Sequence, residues 1–226
     1  MDDFLRSRFR IVGAFCILFL AILFIVLLFV QYREKKNTSM QLRVFNSEII
    51  QAMLISKNAN GTPGEWGWKP GYKNIDLLNT NVFGYLKVDE DCSAEPGNCM
   101  PKTNYKSIKE KKTNINLYKF PSVRLKNGIS IAVETVGKCT KRNSVCALVY
   151  TDLNGPEEPN AFGKDMFVFV IVNSGTIAFL PYNSTLSIDQ LQYDTNYGCN
   201  KFSKVAMNCC ALIAKKGWLI DGKYPW

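Results

Sequence analysis

One acidic segment of this sequence has the residue types and the spacing of a cation-binding loop. Asp152 and Asn154 are spaced like the first two ligands of a calcium loop, and Gly155 after them permits a sharp turn. Calcium takes about six to eight oxygen ligands. Further carboxylates in the same segment are Glu157, Glu158 and Asp165. A calcium site at Asp152, Asn154 and Asp165 is therefore one hypothesis for this segment.

The same residues also fit an ordinary turn. Asp-x-Asn-Gly forms an Asx turn at the end of a strand, in which the Asp152 side chain bonds to the backbone. Asp165 could equally cap the next element. The segment has no glutamate at the twelfth position, where an EF-hand loop carries one. This absence favours the turn, and no other cofactor is expected.

The cysteine spacing indicates disulfides. The chain has eight cysteines, no histidine and no C-x-x-C, so no zinc-finger or zinc-ribbon pattern is present. Two pairs are each separated by six residues, which suits small disulfide loops: Cys92 with Cys99, and Cys139 with Cys146. Because disulfides persist in oxidising compartments, this part of the chain is expected outside the cytoplasm.

Three further cysteines leave their pairing open. Cys199, Cys209 and Cys210 are odd in number, so one of them stays unpaired or pairs between chains. Adjacent cysteines rarely bridge each other, and we therefore expect Cys199 to bond to Cys209 or Cys210. The eighth cysteine, Cys16, lies in an apolar segment and is interpreted as a small apolar residue there.

The absence of histidine excludes several classes of enzyme. Ser-His-Asp and Cys-His nucleophile systems and His-ligated metal centres all need an imidazole. No nucleophile–base pair, glycine-rich phosphate loop or metal triad can be assembled from the remaining residues. The 226 residues are 47% hydrophobic and 21% charged, which is the composition of a globular protein. The sequence predicts a protein that is not an enzyme.

The formal net charge of +9 leaves anionic partners open. One stretch concentrates four lysines: Lys106, Lys109, Lys111 and Lys112. Nucleic acid, a phosphate-rich envelope polymer or a membrane surface could bind such a stretch. No aromatic or arginine residue is interleaved with these lysines. This favours a solvated lysine face and makes nucleic acid a less favoured partner.

Residues 11–30 form an uncharged apolar segment of twenty residues. At about 1.5 Å per residue, a helix of this length matches the ~30 Å hydrocarbon core of a bilayer. A cleaved secretory signal has a shorter core followed by small residues, whereas this segment runs directly into Gln31-Tyr32-Arg33. We expect a retained single-pass membrane helix. Residues 1–10 would then be a basic cytoplasmic tail with three arginines, Arg6, Arg8 and Arg10.

Residues 31–60 extend this helix with an amphipathic pattern. No Gly or Pro occurs between Ala14 and Asn60, and apolar residues recur every three or four positions. The packing face of this extension consists of Leu42, Phe45, Ile49 and Met53. The segment Asn60-Gly61-Thr62-Pro63-Gly64 ends the helix. We expect the rest of the chain, residues 61–226, to cover the packing face.

Residues 61–226 are predicted to be loop-rich at first and then rich in strands. Val123–Lys126 and Ile129–Val133 flank Asn127-Gly128, which is a strong signal for a β-hairpin. Three further strands and a short helix are predicted at 145–151, 166–172, 176–180 and 204–215. A helix followed by antiparallel strands is the α+β class, and residues 61–226 have the size of one domain.

These features together resemble type IV pilins and type II secretion pseudopilins, whose membrane helix runs into an amphipathic helix on an antiparallel sheet. Residues 150–167 resemble the D-x-N-G…P-N…G-x-D-x-F segment of pilin-like proteins with a prepilin-type N-terminus. The matching residues are Asp152, Asn154, Gly155, Pro159, Asn160, Gly163, Asp165 and Phe167. The C-terminal part is similar in Cys209-Cys210, Gly217-Trp218 and Tyr224-Pro225-Trp226.

The resemblance implies a pilin-like fold and a non-catalytic role in a type IV pilus or type II secretion assembly. It places the protein in a bacterial inner membrane, with other pilin-like subunits or secretion-system components as partners. Some major pseudopilins bind calcium in a loop of the sheet region, and the resemblance therefore also suggests the calcium site. An alternative is a membrane-anchored extracytoplasmic binding protein that keeps the pilin-like scaffold and does not polymerise.

The N-terminus departs from the prepilin pattern. Prepilins are cut after a glycine and carry a glutamate at the fifth mature position. A cut after Gly13 would make Ala14 the first residue and Leu18 the fifth, so that glutamate is absent. We therefore expect the chain to stay uncut and to remain in the membrane as an anchor. Contact with pilins would use the packing face at residues 42–53.

Overall fold

The first element is a helix of 59 residues, α1 (Asp2–Asn60). In this computed structural model the described residues are 2–71 and 73–226, with side chains described from residue 16. Gly13 and the arginines of residues 1–10 fall outside the described side chains. The helix ends at the predicted stop, where Gly61 adopts a φ of +78° and its N–H bonds to the Lys57 carbonyl. Helices commonly end at a glycine in this left-handed conformation.

The apolar residues 16–30 of α1 have exposed side chains. Exposure of so many large apolar side chains is costly in water and is normal in lipid. Among the described helices, α1 alone has the length and apolar composition needed to cross a bilayer. The predicted single apolar N-terminal helix is therefore present.

The chain divides into two compact units, Met1–Asn37 and Thr38–Trp226. The last part of α1 belongs to the second unit, where the predicted packing face is at most 3% exposed. The ring of Phe45 lies 5.4 Å from the ring of Phe169 and 6.2 Å from that of Phe179. Aromatic side chains of the sheet thus cover Phe45, and the whole packing face belongs to the buried core.

The sheet of the second unit has six antiparallel strands in chain order. They are β1 (Val88–Asp91), β2 (Ser122–Leu125), β3 (Ser130–Thr135), β4 (Val145–Asp152), β5 (Met166–Val172) and β6 (Phe179–Pro181). Every residue of β5 is buried. Its seven residues are all apolar or aromatic, which is typical of a strand covered on both faces. The predicted α+β class is confirmed.

The predicted hairpin lies between β2 and β3. Val123 pairs with Ile131, and the chain turns at Asn127-Gly128. Gly128 adopts a φ of +87°, and its N–H bonds to the Leu125 carbonyl at 2.9 Å. Glycine takes this left-handed conformation at little steric cost, so the local sequence alone produces this turn.

The last helix, α4 (Cys209–Lys215), begins later than predicted. The N–H groups of Lys204 and Val205 bond to the carbonyls of Thr195 and Asn196, at 3.2 and 2.8 Å. The first N–H groups of a helix have no partner within it, so the deciding contact is at Asn208. A helix starting at residue 204 would bond the Asn208 N–H to the Lys204 carbonyl, but this N–H bonds to the Tyr197 carbonyl at 2.9 Å. Strand β6 likewise begins at residue 179 instead of 176, because Ser174 Oγ accepts the Thr176 N–H in a turn.

One short strand and two short α-helices were not predicted. Strand β1 has the sequence Val-Asp-Glu-Asp, which has no apolar alternation, and it forms only by pairing with β2. Helix α2 (Ile75–Asn81) lies in the region expected to be loop-rich. Helix α3 (Ile188–Tyr193) begins with a capping box between Ser187 and Gln190, and this local signal could have revealed it.

Within the second unit, α1 and β5 run in the same direction. Phe45 contacts the middle of β5 at Phe169, and the Lys57 ammonium donates to the carbonyl of Gly175 just beyond the end of β5. The start of β5 and the loop before it therefore lie at the end of the unit that holds residues 38–42. We call this the proximal end of the unit.

Candidate functional site

The acidic segment, residues 152–165, connects β4 to β5 at the proximal end. Asp152 is the last residue of β4 and is completely buried. Its Oδ2 accepts a hydrogen bond from the Tyr105 hydroxyl at 2.7 Å, and its Oδ1 accepts one from the Asn154 N–H at 3.3 Å. The second bond closes an Asx turn. Asp152 thus ties the end of its own strand to a distant loop.

Asp165 holds the other end of the segment. Its Oδ1 and Oδ2 accept the backbone N–H groups of Ala161 and Asn160, each at 2.7 Å. The Leu153 N–H bonds to the Asp165 carbonyl at 3.0 Å. All four carboxylate oxygens of Asp152 and Asp165 therefore have a donor within the protein.

Burial dominates the electrostatics of this pair. It raises the pKa of Asp152 well above its ordinary value, and the nearby charge of Asp165 raises that pKa further. Burial also raises the pKa of Asp165, although hydrogen bonds from backbone N–H groups oppose the shift. Burial and the charge of Asp152 raise the pKa of the Tyr105 hydroxyl. Among the described side chains, no lysine or arginine forms an ion pair with either carboxylate.

The other predicted ligands lie elsewhere. The Asn154 side-chain amide donates to the carbonyls of Glu157 and Glu158, at 3.2 and 3.1 Å. The Glu158 carboxylate forms an exposed ion pair with Lys106. The structure brings together only Asp152 and Asp165, and their oxygens are engaged by the protein. This geometry favours the Asx turn, and the calcium site stays a prediction.

The C-terminus meets the same segment at Gly163. The Tyr224 hydroxyl donates to the Gly163 carbonyl at 2.8 Å, and Trp226 Nε1 donates to the same oxygen at 2.5 Å. Tyr224 is buried, so these aromatic residues pack the unit. Two motifs that are about 60 residues apart in sequence thus share one carbonyl.

Only glycine fits at position 163. Its φ is +81°, and an added Cβ would lie 2.8 Å from both Cys209 Sγ and Ile108 Cδ1. The segment therefore contacts helix α4, the 105–112 loop and the C-terminus at a single point. Residues 152–165 are thus the junction at which these three parts of the proximal end meet.

The model of one protein family matches residues 28–226, and its description is "Family of unknown function (DUF6613)". The chain belongs to that family. No curated protein and no solved structure matches it. The matched region includes the whole second unit, and with it both the acidic segment and the C-terminal residues that meet at Gly163.

In this DUF6613 chain both six-residue cysteine loops close as disulfides, Cys92–Cys99 and Cys139–Cys146. The third disulfide joins Cys199 to Cys209 and leaves the Cys210 thiol free and buried. Burial raises the pKa of that thiol well above its ordinary value. A buried, protonated thiol is a poor nucleophile, so Cys210 is a packing residue of α4.

The sequence did not reveal one group of metal-ligand atoms. A Glu90 carboxylate oxygen and the sulfurs of Cys92 and Cys99 lie within 4.8 Å of one another. Both sulfurs are in a disulfide, so neither is a thiolate ligand. Glu90 also forms an ion pair with Arg124 at 2.9 Å and accepts the Asn98 N–H. These contacts join strand β1, at the edge of the sheet, to β2 and to the loop that the Cys92–Cys99 disulfide closes.

The expected contact with pilins through the packing face is wrong. These residues are buried against the chain's own sheet, so no other subunit can reach them. The exposed apolar side chains of α1 within the second unit are instead Met40, Val44, Leu54 and Ile55. A partner of this helix would meet those residues.

The lysine stretch does have an aromatic neighbour. Lys109 Nζ lies 5.4 Å from the centre of the Phe202 ring, and the Phe202 side chain is 89% exposed. The structure thus brings an aromatic residue beside these lysines from outside the stretch, and the solvated lysine face stays a prediction. Sequence spacing could not reveal the pair, because the two residues come from distant segments.

Proposed function

We propose that this protein is a membrane-anchored, pilin-like structural or accessory component of a type IV pilus or type II secretion assembly. It has no catalytic role. Its second unit lies outside the cytoplasm of a bacterial cell, and residues 11–30 hold it in the inner membrane. Its partners are other pilin-like subunits or components of the secretion assembly.

One observation carries this proposal: a single helix, α1, contains both the exposed apolar segment and the residues that pack against the sheet. Residues 16–30 of α1 are apolar and exposed, while Phe45 of the same helix is buried against Phe169 and Phe179. Residues of one helix, α1, thus belong to both the apolar segment and the folded unit. This is the plan of a pilin-like subunit.

The disulfides and the acidic segment support the same role. Three disulfides suit an oxidising compartment. The titratable groups with the most specific geometry, Asp152 and Tyr105, are completely buried and bonded to each other. A substrate cannot reach these two side chains, so their role is to stabilise the fold.

The missing glutamate distinguishes an anchor from a polymerising subunit. Leu18 stands where a prepilin cut after Gly13 would carry that glutamate. An uncut chain retains two aspartates and three arginines before residue 11, and each charge costs about 2.5–3.5 kcal/mol at the centre of a bilayer. The protein therefore keeps its N-terminus in the cytoplasm and stays in the membrane.

A groove favours the alternative of a non-polymerising binding protein. About 530 Å³ in volume, it lies between α1 and the turn of the β2–β3 hairpin. Ile55, Leu86 and Leu125 supply apolar surface. The charged groups of the lining are Lys87, Lys126 and Glu48. Grooves of this size, with an apolar lining and a few polar groups, are typical of ligand sites.

Photo-cross-linking in native membranes tests the proposal. A benzophenone side chain at Ile55, on the exposed side of α1, should give a discrete product with another membrane protein. The matched control is the same side chain at Ile177, which is also exposed but lies beyond β5. Equal yields at both positions, or no product at Ile55, would contradict the role in an assembly.

Intact mass of the purified protein tests the anchor. We expect a mass that retains Met1 or begins at Asp2, with three disulfides and two free thiols. A mature chain that begins at Ala14 and occurs in sheared surface fibres would show a polymerising pilin.

A further inference from the structure

An exposed aromatic residue surrounded by lysines lies at the proximal end. The ring of Phe202 is 89% exposed, and Lys109 Nζ lies 5.4 Å from its centre. Lys201 and Lys204 flank it in sequence and are also exposed. Among the described side chains, none of these three lysines forms an ion pair. We call these four residues the Phe202 surface.

The turn that presents Phe202 is held rigidly. Asn200 Oδ1 accepts the N–H groups of Phe202 and Ser203, at 2.7 and 3.0 Å. The Ser203 hydroxyl donates to the Gly198 carbonyl at 2.5 Å, and the preceding Cys199 is bonded to Cys209. The turn therefore holds an apolar ring in solvent directly beside Lys109 and between Lys201 and Lys204, which is the combination of apolar and basic groups found on membrane-surface segments.

The position of this surface follows from contacts inside the second unit. The residue after Lys109 is Glu110, which forms an ion pair with Lys164, one residue before Asp165 and two before β5 begins. The Phe202 surface therefore lies at the proximal end, where α1 joins the unit at residues 38–42. Residues 31–38 connect this end along the chain to the apolar segment that ends at Val30.

We propose that the Phe202 surface binds an anionic phospholipid bilayer. The Phe202 ring would enter the interface between headgroups and acyl chains, and Lys109, Lys201 and Lys204 would contact lipid phosphates. A bilayer is favoured over a soluble partner because the chain is tethered to one, and a tether gives a high effective concentration. This inference rests on the membrane anchoring in the proposed function.

Depth-dependent fluorescence quenching tests the proposal on the full chain. Wild type and the Phe202→Trp variant are reconstituted in vesicles of brominated phosphatidylcholine, with or without about 30% phosphatidylglycerol. The difference spectrum between variant and wild type isolates the new indole. We expect bromine to quench this indole strongly in the anionic vesicles and weakly in the neutral ones. About 0.5 M NaCl should reverse the quenching, since it screens lysine–phosphate contacts.

Two variants sharpen the result. Each lysine near an anionic surface strengthens binding about fivefold, so adding Lys201→Gln and Lys204→Gln should remove most of the quenching. Ile177→Trp is the matched control, because Ile177 is exposed at the other end of the unit, and it should stay unquenched. Near-ultraviolet circular dichroism verifies that each variant is folded.

The outcomes separate this inference from the anchoring itself. Failure of the wild-type chain to float with vesicles in about 0.5 M NaCl would overturn both the anchoring and this inference. Flotation without quenching of the indole at position 202 would overturn the inference and leave the anchoring intact. A response of that indole to soluble heparin but not to anionic vesicles would also overturn it, and would identify an anionic polymer as the partner.

Discussion

The acidic segment and the turn at residues 200–203, which presents Phe202 and is called the Phe202 turn below, lie at the same end of the second unit. They use their residues in opposite ways. The acidic segment buries two carboxylates and satisfies every one of their oxygens within the protein. The Phe202 turn satisfies its backbone with Asn200 and Ser203 and leaves an aromatic ring in solvent.

The difference shows which residues stabilise the fold and which are available for contact with a partner. Buried polar groups that are fully hydrogen-bonded specify the fold and cannot meet a ligand. An exposed apolar group on such a turn contributes little to the stability of its own unit and is free to meet another surface. Substitutions in the two regions should therefore have very different effects on stability.

The largest effect is expected at Gly163. The Gly163→Ala variant places a Cβ 2.8 Å from Cys209 Sγ and requires a residue other than glycine at a φ of +81°. Overpacking and left-handed backbone together should lower the free energy of unfolding by about 3 kcal/mol. Chemical denaturation of the detergent-solubilised protein measures this change.

Gly128→Ala separates the two causes of that loss. Gly128 has a φ of +87°, but a Cβ added there would have no atom within 4 Å, so only backbone strain remains. We expect a loss of about 1 kcal/mol. Equal losses at the two glycines would show that residues 152–165 are not a tightly packed junction.

The next effect concerns the third disulfide. Cys209→Ala removes the bond to Cys199, which closes a loop with a sequence separation of 10. This should lower the free energy of unfolding by roughly 2–3 kcal/mol. Cys210→Ala removes only a buried thiol and should cost about 1 kcal/mol. If Cys210→Ala is the more damaging of the two, Cys210 is the partner of Cys199, and peptide mapping under non-reducing conditions would show it.

The buried carboxyl of Asp152 should make stability depend on pH. Its pKa is higher in the folded than in the unfolded state, mainly because of burial. Its contribution is therefore complete below the unfolded pKa of about 4 and is lost as the pH rises through the folded pKa. We expect the contribution of Asp152 to the free energy of unfolding to fall as the pH increases above about 4.

Asp152→Asn should reduce that fall by about 1–2 kcal/mol. An amide keeps an acceptor for the Asn154 N–H and can donate to the Tyr105 hydroxyl. Asp194→Asn is the matched control, because Asp194 also accepts backbone N–H groups in a turn but is exposed. The same pH dependence in wild type and Asp152→Asn would show that the buried pair is not its source.

The smallest effect is expected at Phe202. Phe202→Ala should change the free energy of unfolding by less than about 0.5 kcal/mol, because the side chain is 89% exposed. Leu219→Ala, another exposed apolar position, serves as the control and should behave in the same way. A loss of more than about 2 kcal/mol at Phe202 would mean that the ring packs within the unit.

Local chemistry made several elements of this protein predictable from the sequence. The extent of α1 follows from the lack of Gly and Pro before the stop at Asn60-Gly61. The β2–β3 hairpin follows from Asn127-Gly128, and two disulfides follow from the six-residue cysteine spacing. In each case the interacting groups are near neighbours along the chain.

Tertiary structure alone decided how the chemistry-bearing residues are used. Asp152 and Asn154 have the spacing of a cation loop, but Tyr105, which is 47 residues away, binds the Asp152 carboxylate inside the protein. Lys109 lies beside Phe202 only because the 105–112 loop and the Phe202 turn both lie next to the start of β5. Sequence spacing determines turns and helices, whereas burial and long-range neighbours determine whether a charged group stabilises the fold or meets a partner.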